Sequence, residues 1–127
     1  MSYVNNYCII CNIGNDHRTM QELNQHLTDQ GVERQHFLRL QGEGGTKGYE
    51  WTIFGMAANY VPLQEVITAM QKTAWDEPNT VILIFQEQNQ YEGPTVIDWR
   101  EGAGQIQERV RGEPVMPLPG QRKTRID

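Results

Sequence analysis

The clearest signal in this chain is where its apolar residues fall. Residues 7–13, Tyr7-Cys8-Ile9-Ile10-Cys11-Asn12-Ile13, form a nearly continuous apolar run of the kind a buried strand carries. Gly14-Asn15-Asp16 supplies a turn, with Asp16 as N-cap and Thr19 and Glu22 at capping-box spacing. Met20, Leu23 and Leu27 then recur at helical intervals, which predicts one apolar stripe on a helix stopping near Gly31. A second strand is expected over 36–41, with Leu38 and Leu40 facing one way and Phe37 and Arg39 the other.

Gly42-Glu43-Gly44-Gly45-Thr46-Lys47-Gly48 interrupts all periodicity and reads as a flexible loop between strands. Alternation returns over 49–56: Tyr49, Trp51 and Ile53 share one face, Glu50, Thr52 and Phe54 the other. Pro62 opens a second helix, in the first turn where its missing N–H costs nothing; Leu63, Val66, Ile67 and Met70 form its stripe. Asp76-Glu77-Pro78-Asn79 ends it. Residues 80–85, Thr-Val-Ile-Leu-Ile-Phe, are apolar and β-branched enough for a central strand. A polar stretch over 86–93 leads to a short edge strand over 95–99.

Strand, helix, strand, strand, helix, strand is the order of an α+β, ferredoxin-like βαββαβ sandwich. Right-handed crossovers would place both helices on one face of an antiparallel sheet. Trp51 and Phe54 cannot both lie under those helices, so the other face needs cover. Assembly through the sheet, with a homotrimer as the expected form, supplies it. Residues 1–99 would be the folded domain and 100–127 a C-terminal arm or tail.

Composition narrows the function classes. At 127 residues, 38% hydrophobic and 21% charged, with mean hydropathy −0.63, the chain suits one globular domain. No apolar run approaches the roughly 20 residues of a membrane span, and no charged leader precedes an apolar stretch, so a cytoplasmic protein without membrane contact is expected. The net charge of −5 is uneven: residues 100–127 hold six bases and four acids, residues 1–99 five bases and twelve acids. An acidic domain argues against nucleic-acid binding, which needs clustered cations.

Metal and redox chemistry find little purchase. Cys8 and Cys11 have redox-pair spacing, but within a strand residues three apart point to opposite faces, and we read both as core cysteines. His17, His26 and His36 are scattered without metal-type partners. The glycine loop lacks a Gly-Lys-Ser/Thr ending and precedes a strand, so it is no P-loop. Neither metal nor cofactor is expected.

Two polar positions stand out. Glu50 lies at the root of the third strand, on the face of Thr52 and Phe54, where an inward carboxylate must pair or bind something. Gln88 follows the central strand amid Gln86, Gln90 and Tyr91, amides and a phenol suited to orienting a polar ligand.

Taken together, the pattern resembles the bacteriophage S-adenosylmethionine (SAM)-cleaving enzymes, the SAM hydrolases or SAM lyases. The likeness rests on an aliphatic first strand running into Asp16-His17-Arg18, on the glycine loop followed by Gly48-Tyr49-Glu50, and on Val81 to Phe85 followed by Gln88 and Gly93. It spans about residues 5–99. The resemblance implies a SAM site between subunits of a small trimeric sandwich. There SAM would be split into methylthioadenosine and homoserine lactone, depleting the methyl donor of host restriction and modification. Glu50 and Gln88 would match the family's functional glutamate and glutamine, with Phe37, Tyr49, Gln86 and Tyr91 as substrate-binding residues. Phe37 stands near the position of a family strand tyrosine, and Tyr49, Tyr60 and Tyr91 are the candidates to replace it. Two other classes stay open: a non-enzymatic ligand-binding module of the same fold, and an inhibitor docking on a host protein through Arg122, Lys123 and Arg125.

Overall fold

The computed structural model describes residues 4–12, 16–32, 36–40, 43–44, 47–48, 51–89, 93–100, 102, 104–107 and 114–121. The elements are β1 (Val4–Cys11), α1 (Asp16–Asp29), β2 (Leu38–Leu40), β3 (Glu43–Gly44), β4 (Lys47–Gly48), β5 (Thr52–Asn59), α2 (Leu63–Lys72), β6 (Ile82–Glu87), β7 (Thr95–Asp98), β8 (Gly104–Gln107) and β9 (Pro114–Val115). This is a mixed α+β domain. Seven strands form one antiparallel sheet in the order β2-β5-β1-β6-β7-β8-β9, while β3 and β4 pair with each other.

The register sorts side chains onto two faces. Phe54, Ile9, Leu83 and Ile97 stand in one cross-strand row, all without exposed surface. With Tyr7, Met56 and Phe85 in the next row they form the floor of the core. Its roof is Leu23 and Leu27 of α1 and Val66, Ile67, Ala69 and Met70 of α2. The helices touch: Gln30, just past α1, donates to the backbone and side-chain oxygens of Glu65 in the first turn of α2, both at 2.8 Å. Both therefore lie over the same face.

Local chemistry stops the helices where the sequence indicated. Gly31 takes φ 101°, and the Val32 and Gly31 N–H groups close on the Leu27 and Thr28 carbonyls, a Schellman-type end. Burying Val32 against Leu27 reinforces it. Pro62 precedes α2, which ends earlier than expected, at Lys72. Thr73 Oγ1 donates to Ala69 O and Trp75 Nε1 to Met70 O, and these turn the chain away.

Several expectations need correction. Residues beyond 99 also join the sheet and the core, as β8, β9 and Leu118. Trp99, fully buried, donates from Nε1 to Met116 O (3.2 Å); Gln121 accepts from the Leu118 N–H and donates to Trp99 O. Consequently β7 is not an edge strand, since β8 covers its outer side. The glycine loop includes a two-residue strand pair. The third strand begins at Thr52 and runs to Asn59, three residues past the expected end at Met56. Of the cysteines only Cys11 is in the core, Cys8 being half-buried on the opposite face.

If the 114–121 segment is structural, Leu118→Ala should lower unfolding free energy in chemical denaturation by about 2–5 kcal/mol, the cost of emptying a core leucine site. A change of under about 0.5 kcal/mol, the surface range, would show that this segment does not pack on the domain.

Candidate functional site

The sheet face away from the helices carries half-buried aliphatic residues on β1, β5, β6 and β7 and exposed ones on β2. Its rows follow from the register: Leu40, Ile53, Ile10, Ile82 and Asp98, then Leu38, Gly55, Cys8, Ile84 and Val96. Leu38 and Leu40 are 67% and 53% exposed. Leu40 lies over Gly55 so closely that a Cβ there would meet its Cδ1 at 2.8 Å, so glycine at 55 lets the edge leucine lie flat on the sheet.

Toward the Val4 end this apolar face turns polar. Asn6 stands beside Ala57 and Gln86, and Asn59 opposite Val4. Asn6 Nδ2 donates to Gln86 O (3.2 Å), and Gln86 Nε2 to Glu87 O (3.2 Å). Gln88, exposed, clamps the end of the ladder: its N–H donates to Val4 O (2.9 Å) and its Oε1 accepts the Val4 N–H (3.1 Å). Tyr60 follows β5 as Gln88 follows β6, so the two flank Val4 on either side. Tyr60 is 66% exposed at φ 57°, a left-handed conformation that costs a non-glycine residue roughly 1–2 kcal/mol.

That conformation turns the next carbonyl inward. Val61 O accepts from both Asn5 Nδ2 (2.7 Å) and Tyr7 OH (2.6 Å), on the helix side of the same end. Asn5 Oδ1 is buried without a partner among the described residues. Burial, reinforced by the negative charge of Glu87 and only partly offset by the Asn5 amide, pushes the Tyr7 phenol well above its ordinary value. Tyr7 is a structural donor, locked neutral. Burial also pushes the Cys8 thiol up, which makes it a poor nucleophile.

The expected site residues are therefore divided. Gln86 and Gln88 share the polar end of this sheet face. Phe37 has no exposed surface; its ring meets Tyr7 edge-on (centroids 6.4 Å apart), and its N–H and C=O are bridged by Asn24. It is a core residue, leaving no ring face for a ligand. Glu50, Tyr49 and Tyr91 lie outside the described residues, as do Arg122, Lys123 and Arg125. Asn6 and Asn59 were not anticipated; the alternation of β1 and β5 was the signal that could have found them.

A separate cavity of about 200 Å³ lies between α1 and the chain after α2, lined by Arg18, Thr19, Glu22, Ala74 and Asp76. Glu22 is committed there, accepting the Ala74 N–H (3.0 Å) and facing His26 Nε2 (3.4 Å). None of the expected site residues lines it. His36 lies against Thr28 Oγ1 and His17 is exposed. No group of metal-ligating side chains occurs among the described residues, and no helix among them is long and apolar enough to cross a membrane. Compared with known protein families, curated proteins and solved structures, the chain finds no match.

The Tyr7 shift sets a pH dependence. A phenol whose folded pKa is raised contributes stability that is complete below its unfolded value, about 10, and is lost as pH climbs above it. Denaturation of the wild type should show stability falling above about pH 10, and Tyr7→Phe should flatten that fall. An unchanged alkaline slope in Tyr7→Phe would mean that another group sets the dependence.

Proposed function

We propose that this chain is a SAM lyase of ferredoxin-like fold that works as a homotrimer, with its substrate held where protomers meet. The strand order β2-β5-β1-β6, with both helices on one face, supports the fold. The observation that carries the functional reading is the sheet face away from the helices, apolar in its middle and amide-lined at the Val4 end, where Gln88 and Gln86 stand.

The lengths are compatible with a junction between copies. Glu50 precedes Thr52 by two residues in the chain, and Thr52 pairs with Cys11, whereas Gln88 is bonded to Val4. The seven steps of β1 between these ends span about 23 Å at 3.3 Å per residue. A site between protomers would let residues from both ends of β1 meet one substrate.

The chemistry asks little of the protein. SAM contains both a leaving group, the sulfonium, and a nucleophile, its methionine carboxylate. A carboxylate oxygen attacks the γ-carbon, the carbon–sulfur bond breaks, and its electron pair neutralises the sulfur. Methylthioadenosine leaves, and the five-membered lactone of homoserine remains. Water then opens the lactone to homoserine. No general base is required; the protein supplies the bent conformer, an orientation effect worth roughly 7–11 kcal/mol. Glu50 grips the ammonium or ribose hydroxyls, and Gln88 fixes the bend, with Gln86 beside it. Tyr49, Tyr60 or Tyr91 supplies the aromatic face, now that Phe37 belongs to the core. In a host cell the outcome is removal of the methyl donor on which restriction and modification depend.

Incubation of the purified protein with SAM tests this. Methylthioadenosine should form, with lactone appearing before homoserine in a quenched time course. Glu50→Gln should slow turnover by on the order of 10²-fold while fold and assembly stay intact. Homoserine from the earliest point would make the enzyme a hydrolase. SAM bound but uncleaved would make it a binding module, and neither binding nor cleavage would end the reading.

A further inference from the structure

We propose that the cavity between α1 and residues 74–76 is a binding site for a small free α-amino acid, with Glu22 and Asp76 taking its ammonium group and Arg18 its carboxylate. None of the residues assigned to SAM lines it, and the site does not depend on SAM cleavage.

The acceptor for the ammonium is half of a carboxylate. Glu22 is partly buried, and both of its contacts, the Ala74 N–H at 3.0 Å and His26 Nε2 at 3.4 Å, fall on Oε2. Oε1 has no partner among the described residues. Arg18 stands one turn earlier on α1, at the four-residue spacing where opposite charges are neighbours, yet the two form no ion pair. Arg18 and Asp76 have contacts of their own. A guanidinium carries several donors and a carboxylate several acceptor positions, so each can serve a ligand as well.

The walls are fixed in advance. Glu22 ties the chain after α2 to α1 through Ala74. On either side of Ala74, the buried Thr73 and Trp75 side chains donate to the Ala69 and Met70 carbonyls at 2.8 and 2.9 Å. A site whose walls are already ordered loses little entropy when it fills.

Charge and size select the occupant. Two carboxylates and one guanidinium face about 200 Å³. A simple anion would meet Glu22 and Asp76, and a simple cation would meet Arg18, whereas a molecule carrying both charges on one carbon suits all three. The volume is that of about six or seven waters at roughly 30 Å³ each, close to the size of serine. Thr19 and Ala74 complete the lining with small side chains, which suits a ligand whose own side chain is short.

Titration of the full chain with L-serine, followed by the backbone amide resonances of Thr19, Ala74 and Asp76, is the test. These signals should move together and saturate with a dissociation constant on the order of 1 mM or tighter. Ethanolamine is serine without its carboxylate, and 3-hydroxypropanoate is serine without its ammonium. Each should bind at least about tenfold more weakly, because each lacks one set of charge-assisted contacts. Arg18→Gln and Asp76→Asn, both at exposed positions, should weaken serine by a similar factor and leave circular dichroism unchanged. Should either variant fail to fold, the comparison of the three ligands on the wild type decides alone. Amides that ignore millimolar serine, single-charge analogues that bind as well as serine, or folded variants that bind it like the wild type would overturn the proposal. Every outcome is read without SAM, so a failed lyase reading leaves this site standing.

Discussion

The structure depends on the alternation of β1, the strand with a long partner on each side. Asn5, Tyr7, Ile9 and Cys11 point under the helices, and Asn6, Cys8 and Ile10 point away. Because the side-chain period of a strand is two, a slip of one residue against β5 or β6 would exchange the two sets. It would leave Ile9 outside the core and put Asn6 inside it. Burying an aliphatic or aromatic side chain of this size stabilises by about 1.5–3 kcal/mol, and an amide buried without partners costs about 1–3 kcal/mol. Those two costs fix the register, and the register sets what each face of the sheet displays.

One consequence appears at the Val4 end, where the buried rank finishes in polar groups. Asn5 is the last inward residue of β1, and it is tolerated because Val61 O lies within reach of its Nδ2. Val61 takes that position because Tyr60 adopts a left-handed turn between β5 and α2. The hydrogen bonds this turn positions offset the desolvation of two buried donors, Asn5 and Tyr7, at the cost of backbone strain at an exposed tyrosine. The same turn sets the approach of α2, whose first turn then meets Gln30 at the end of α1. A small polar junction positions both helices, and it lies directly behind the amide-lined surface.

Much of this was legible in the sequence wherever period and burial agree. The 3.6-residue stripe of Leu23 and Leu27, the stop at Gly31 and the β-branched run ending at Phe85 each state their own structure. What escaped depends on distant partners. Residues 104–107 hold a single aliphatic, Ile106, and become a strand because β7 offers an unfilled ladder there. Leu118 stands between two prolines, a context that reads as loop, yet it is drawn into the core beside Trp99. Phe37 reads as lying opposite Leu38 by alternation, and only the packing against Tyr7 and Asn24 shows that its side faces the core. Gln88 stood out as an amide past a strand tip, but its hold on Val4 is a long-range bond that local pattern does not encode. Asn6 and Asn59 look like ordinary polar residues until pairing sets them on one surface with Gln86.

The separation of the two ends of β1 constrains any chemistry proposed for this protein. A substrate about as long as SAM cannot bridge the 23 Å or so between the neighbourhood of Thr52 and Gln88 while folded back on itself for lactone formation. The bent geometry needs its binding groups within a few ångströms of one another. A site within one protomer would therefore draw on the residues of one end of β1 alone. A site shared by two protomers would draw on both ends.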